Sequence, residues 1–386
     1  MSDVTIIGGG PAGSMAGYAL AKMGWDVTLI EQHRFPRDKV CGESLSALGI
    51  DVLERLGLAG RVEMLGVARL THTGLHAIDG RNVTLRLPRE MWGISRGAMD
   101  RALIDAAAEA GVRVLQPARC ESMTQEEGRR DAGITSESRR NARATRNELL
   151  VRYLGDNQLE TLQPTWVILA DGKGALLPKR PQPTTDFGIK AHFEMVEAAR
   201  DAVELFGLRG HYVGVAPIEG GRFNLAFSLP AKRLEECSGD FDGLWRQLLR
   251  ENVTLAERFN KARRVGDWLA SPLPRFGIAR EWPANVIPIG NAAAALEPIG
   301  GEGMGLAMRS GELAAGALDH AHRTRSPLPV TRLRSEFARL WQKRRFACRA
   351  LARLFSMPTL AGSMIDWASG SEAMSREVLG WMGKDA

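Results

Sequence analysis

The chain is poor in the features that would make its class obvious. Its 386 residues hold four cysteines, Cys41, Cys120, Cys237 and Cys348, far apart and with no Cys-x-x-Cys. That spacing excludes the paired redox cysteines of disulfide reductases and fits reduced thiols in a cytoplasmic protein. No apolar run approaches the length of a membrane span. The first strand is expected at Val4 and glycines break the apolar stretch behind it, so no signal peptide is expected. Among seven histidines the one close pair, His320 and His322, points to different sides of an expected helix. His72, His76, His192 and His211 fall on or near sheet segments, each able to line a cavity but read as structural. No metal is expected. Aromatics do not interleave with arginine and no nucleic-acid module is visible, which argues against nucleic acid as a partner. The arginine-rich stretch Arg129–Arg146 has no apolar periodicity and reads as a solvated hairpin or loop.

What is present is ordinary in bulk: 44% hydrophobic residues, 25% charged and a net charge of +6. The length suits two intimately joined domains of a soluble enzyme. The information lies at the start. Val4–Ile7 is an apolar run suited to a buried parallel strand, and Gly8, Gly10 and Gly13 follow as Gly-x-Gly-x-x-Gly, with Pro11 and Ala12 inside it. "SMAGYALAKMG" then has helical spacing and stops at Gly24, and a second strand, Val27–Ile30, ends at Glu31 and Gln32. Each part has a mechanical task. Gly8 makes the tight turn, Gly10 admits a pyrophosphate to the backbone, and Gly13 lets the helix lie close on the strand, its N-terminus facing the phosphate charge. Glu31, about eighteen residues past Gly13, can accept from ribose hydroxyls. This is a dinucleotide site, but the fingerprint alone does not separate NAD from FAD.

Three further segments do. "ISRGAMDRALIDAA" (Ile94–Ala107), "VILADGKGAL" (Val167–Leu176) and "VIPIGNAAAALEPIGGEGMGLAMRSGELAA" (Val286–Ala315) stand in order behind the fingerprint. Together they resemble the FAD-dependent superfamily of para-hydroxybenzoate hydroxylase, geranylgeranyl reductases and flavin-dependent halogenases. The resemblance runs from Val4 to Ala315 and implies FAD as cofactor. It also implies an α/β fold: a Rossmann-like FAD-binding domain (residues 1–70, 94–180 and 275–330), an inserted antiparallel β-sheet substrate domain (71–93 and 181–274), and a helical C-terminus (331–386). Carried over by position, Arg96 contacts the FAD phosphate or ribose, Asp171 and Gly172 lie near the cofactor, and Gly290 and Asn291 meet the ribityl chain. Asn291 stands where the family usually has Asp, keeping an acceptor oxygen without the charge. Gly300, Gly301, Gly303 and Gly305, with Met304, open a helix whose positive end would face the pyrimidine edge of the flavin.

"FPRDKVCGESLSALGIDVLERLGL" is similar to the Pro-x-x-Lys-x-Cys-Gly-Gly stretch of geranylgeranyl reductases, the branch the chain resembles most, with Glu43 in place of the second glycine. In that family Cys41 and Gly42 would approach the flavin ring. Cys41 or Glu43 could protonate a carbon as hydride leaves flavin N5, and Arg37 and Lys39 are close enough in sequence to stabilise a thiolate. Packing is the competing role for Cys41. Tyr212–Pro217 occupies the place of the halogenase Trp-x-Trp-x-Ile-Pro and lacks both tryptophans; no lysine occurs between Lys39 and Lys173 where halogenases need one. Halogenation is not expected, and Tyr212 is assigned to the substrate wall. The resemblance implies a reductase or dehydrogenase acting on a carbon–carbon bond of an apolar organic substrate, with NAD(P)H as electron donor. The alternative is a monooxygenase that hydroxylates an aromatic or polyketide-like compound through a flavin hydroperoxide; a non-catalytic flavin-binding protein is a third, remoter reading. For the C-terminal helices, packing is expected, with weak contact to a membrane surface as the other reading.

Overall fold

The computed structural model describes residues 3–126, 146–172, 176, 186–274, 276–279, 281–381 and 384. The arginine-rich run 129–145 lies outside them. Five short strands form an all-parallel sheet in the order Val286–Pro288, Trp166–Leu169, Val4–Ile7, Val27–Ile30, Arg113–Leu115. Val4–Ile7 and Val27–Ile30 are buried at every position because both faces are covered, as a parallel sheet requires. On one face Val4, Ile6 and Leu29 pack against Ala12, Ala16 and Leu20 of the Pro11–Lys22 helix and against Leu306, Ala315 and Leu318 of the Gly303–Arg323 helix. On the other, Ile7, Ile30 and Val167 meet Cys120, Leu149 and Val151. These last belong to a three-stranded antiparallel sheet of Ala118–Glu126, Arg146–Tyr153 and Leu159–Leu162. The Pro11–Lys22 helix begins three residues before the expected Ser14, because Pro11 at the first helical position has its φ preset and no N–H to leave unpaired.

A second sheet of eight strands runs Arg263–Pro272, Asp186–Glu194, Phe223–Pro230, His211–Pro217, Ala202–Leu208, Ala68–His76, Asn82–Gly93, Ser44–Leu45. Every pairing is antiparallel except one: Ala202–Leu208 runs parallel to Ala68–His76. The sheet is therefore mixed, and it takes in Ser44–Leu45 and Ala68–Leu70, which the sequence reading left with the flavin domain. Its outer face, with Ile189, Phe193, Phe206, Phe223 and Leu225, is buried under the Phe241–Glu251 and Val253–Arg258 helices through Leu244, Trp245, Leu248 and Leu255. Its inner face looks toward the flavin domain. Three C-terminal helices, Val330–Phe355, Pro358–Ser369 and Glu372–Trp381, complete the molecule. They pack Leu351, Phe355, Ile365 and Val378 against Leu75, Leu85 and Leu205 of the sheet. The fold is α/β with a Rossmann-type flavin domain, a packed sheet and a helical C-terminus.

Candidate functional site

Between the two sheets lies a cleft of about 850 Å³, at the carboxyl ends of the parallel strands where open α/β sheets bind ligands. Gly8 makes its floor at φ +107°; a side chain there would start 2.4 Å from the Ala170 carbonyl oxygen. Gly13 faces away from the cleft and permits close packing: a Cβ would lie 1.9 Å from the Gly8 oxygen. The Pro11–Lys22 helix opens on the cleft with no side-chain cap, leaving backbone donors for an anion. Nη2 atoms of Arg96 and Arg37 come within 3.7 and 3.9 Å of where a Gly10 side chain would begin. Arg37 Nε and Asp171 Oδ1 are buried beside this space with no hydrogen-bond partner among the described residues. Helix amides and two guanidiniums are the donor set that a dinucleotide diphosphate needs, and the Asp171 oxygen is an acceptor for a hydroxyl or N–H elsewhere on the ligand. The residues fit FAD.

Most of the expected binding residues converge here. Gly8, Gly10, Pro11, Ala12, Glu31, Gln32, Arg37, Cys41, Gly42, Arg96, Asp171, Gly290, Asn291, Gly301, Gly303 and Met304 all line the cleft. Glu31 is buried and accepts 2.8 Å hydrogen bonds from the backbone N–H of Gly9 and of His33, which leaves the outer lone pairs of its carboxylate toward the cleft. Arg96 pairs with Asp100 at 2.8 and 2.5 Å. Burial works against its charge, but Asp100 more than compensates and holds the guanidinium protonated. Lys39 has no such partner among the described residues; burial, then the charges of Arg96 and Arg37, pull its ammonium down to about 8.

Cys41 and Gly42 wall this cleft on one side and a second, apolar cavity on the other. Cys41 Sγ accepts from the Glu43 N–H at 3.4 Å, its carbonyl accepts from Asn224 Nδ2 at 3.0 Å, and Arg96 and Lys39 lie beside it. Glu43 sits at φ +55° with its side chain fully buried. One carboxylate oxygen accepts from Lys190 Nζ at 2.5 Å and from the Arg96 N–H at 2.8 Å; the other lies 2.6 Å from His192 Nε2. Burial favours the neutral acid, yet the His192 bond and the Lys190 charge hold the Glu43 pKa below its ordinary value. In this arrangement Glu43 accepts hydrogen bonds from Lys190 and from the Arg96 N–H.

The apolar cavity, about 120 Å³, is comparable to the ~150 Å³ engineered cavity that accepts benzene, so it takes a ring or a short stretch of chain. Leu87, Met91, Val203, Leu205, Ala226 and Ile299 supply its walls. Tyr212 reaches it from the inner face of the eight-stranded sheet and donates at 2.9 Å to Glu297 Oε1. Burial pushes the Tyr212 phenol well above its ordinary range, and burial likewise raises Glu297. Tyr212 faces the cavity and Glu297 the flavin cleft. Glu297 and Lys190 were not singled out from sequence, and His192 was read as structural. A signal for Lys190 and His192 existed in "DFGIKAHFE", where Gly188, Lys190 and His192 alternate with Ile189, Ala191 and Phe193. That alternation marks a polar face but does not say that a loop covers it.

Comparison with known proteins agrees with this geometry. A family model described as an FAD binding domain matches residues 1–206. A menaquinone reductase of Mycolicibacterium smegmatis is 26% identical over 345 residues, covering 81% of this chain and 75% of its own. Digeranylgeranylglycerophospholipid reductase 2 of Methanopyrus kandleri is 25% identical over 326 residues, with 81% and 75% covered. The structure of a geranylgeranyl bacteriochlorophyll reductase-like protein from Thermoplasma acidophilum superposes with a TM-score of 0.77 at 17% identity, over 100% of this chain and 96% of its own. That of a flavin-dependent brominase gives 0.77 at 19% identity, over 100% and 94%. With more than half its length matched and the Gly8, Glu31, Cys41 and Arg96 side of the cleft built from matched residues, the chain belongs to the FAD binding domain family and is a FAD-dependent oxidoreductase.

Proposed function

We propose that the protein reduces or dehydrogenates a carbon–carbon bond of an apolar organic substrate, with NAD(P)H as the electron donor. The observation that carries this reading is the apolar cavity that adjoins the flavin cleft across one loop, whose Val40, Cys41, Gly42 and Ser44 line both spaces. Bound FAD would supply the hydride chemistry, passing two electrons from NAD(P)H to the substrate double bond, which takes its second hydrogen as a proton. The chain's residues do the rest. Glu31, Arg37, Arg96 and the Pro11–Lys22 helix end would hold the adenosine diphosphate half, Asp171, Gly290 and Asn291 the ribityl side, and Gly301, Gly303 and Met304 the pyrimidine edge. The apolar walls orient the substrate and exclude water. Two groups can deliver a proton into the cavity: Cys41 from the partition, and the Tyr212 hydroxyl, resupplied by Glu297 behind it. Reductases among the relatives, whose names specify a quinone and a prenyl lipid, support an apolar substrate.

The second reading is a monooxygenase acting on an aromatic or polyketide-like compound, favoured by a cavity sized for one ring and by a kynurenine 3-monooxygenase 33% identical over 121 residues. One experiment separates the two. The photoreduced protein is mixed under strict anaerobiosis with isoprenoid quinones and prenyl lipids, and the flavin spectrum is followed. Recovery of oxidised flavin without O2 is expected; recovery that demands O2, with an oxygenated product, assigns the monooxygenase instead.

A further inference from the structure

Lys190 is among the largest fully buried side chains of the molecule, 1% exposed, yet it lines neither the flavin cleft nor the apolar cavity. Its Nζ lies 2.5 Å from Glu43 Oε1, 3.2 Å from His192 Nε2 and 3.3 Å from Asp38 Oδ1. Asp38, Glu43 and His192 offer ligand atoms all within 4.8 Å of one another, the spacing of a site for a cation, and the ammonium occupies its centre. The hydrogen bonds fix the imidazole: Nε2 is 2.6 Å from Glu43 Oε2 and must carry a hydrogen toward it. Glu43 thereby closes a loop in which it also accepts from the Arg96 N–H, while its own N–H reaches Cys41 Sγ.

A buried carboxylate without a counter-charge is not sustainable, and removing one partner of a buried pair costs far more than removing both. Glu43 is moreover held in the left-handed region, a conformation that persists only where the surroundings over-determine it. We propose that Lys190 is a positioning residue: a built-in cation that pins Glu43 and so holds the Cys41–Gly42 partition between cofactor and substrate. The inference rests on the flavin reading of the cleft for its purpose, but its first readout does not.

Three measurements test it. In the apoprotein, Lys190→Met is expected to speed alkylation of Cys41 by iodoacetamide at least several-fold, with Cys41→Ser as the background, because the loop is released. In the reconstituted protein the same variant should bind FAD about tenfold or more weakly, whatever the substrate turns out to be. Adding Glu43→Gln should then restore much of both, since a neutral pair replaces a stranded charge. If Lys190→Met does not fold, the double variant carries the test: a lysine serving only the fold would leave the pair no better than the single change. Finally, Lys190→Ala with millimolar Mn2+ should recover the slow Cys41 alkylation, and once Glu43→Gln is added Mn2+ should make no further difference to the rate. Wild-type Cys41 reactivity and FAD affinity in Lys190→Met would overturn the proposal. So would a double variant as impaired as the single one, or Mn2+ having no effect on Lys190→Ala.

Discussion

At the scale of single residues the site is governed by which charges have partners. Lys39 has no ion-pair partner among the described residues, and its ammonium is pulled down to about 8 by burial and by Arg96 and Arg37. A diphosphate in the cleft favours the charged form, so binding takes up a proton wherever the free site has lost one. FAD affinity is therefore expected to be highest below about 8 and to fall, by up to about tenfold per pH unit, as pH rises through that value. Flavin fluorescence titrations across the range check this, and Lys39→Met should flatten the dependence. Glu297 shifts the other way: its carboxyl stays protonated above the ordinary range. If it resupplies Tyr212, turnover should lose an alkaline limb in Glu297→Gln, read from kcat against pH. Cys41→Ser should leave flavin content intact while slowing turnover about tenfold or more if the thiol delivers a proton; unchanged turnover returns Cys41 to packing. The residues legible from sequence were those whose task is set by backbone geometry next to a motif: Gly8, Gly10, Glu31, Gly290. Lys190 and Glu297 were hidden because their partners, Glu43 and Tyr212, come from distant strands and loops.

At the scale of elements, two helices aim their N-termini into the cleft and must lie close to do so. Gly311 of the Gly303–Arg323 helix makes that approach possible: a Cβ there would sit 2.4 Å from the Ala12 oxygen and 3.2 Å from Ala16 N. Gly311→Ala must force the helices apart, and overpacking of this kind costs about 1–3 kcal/mol. A lowered Tm in the apoprotein, together with reduced FAD content, is the expected outcome of thermal melts and flavin extraction. Strand and helix identities here were readable because period and punctuation agree, as in the buried runs Val4–Ile7 and Val27–Ile30 and the stop at Gly24. The parallel pairing of Ala202–Leu208 with Ala68–His76 was not readable. Strand direction depends on which distant segment arrives alongside, and alternation along a strand is the same in either direction.

At the scale of the molecule, residues of both sheets line the flavin cleft, so a cofactor bound there should act as a tie. Saturating FAD at 100 times its Kd is expected to stabilise the fold by about 2.7 kcal/mol, seen as a concentration-dependent rise in Tm. The partition of Cys41 and Gly42 has a consequence for kinetics. A vessel whose dividing wall is so thin must be loaded in sequence: a guest entering the inner chamber before the flavin finds its far side open and departs as readily as it came. Order of addition thus becomes a property of the architecture. Substrate should dwell only in the charged vessel, and a molecule that plugs the inner chamber should also slow the escape of the cofactor behind it.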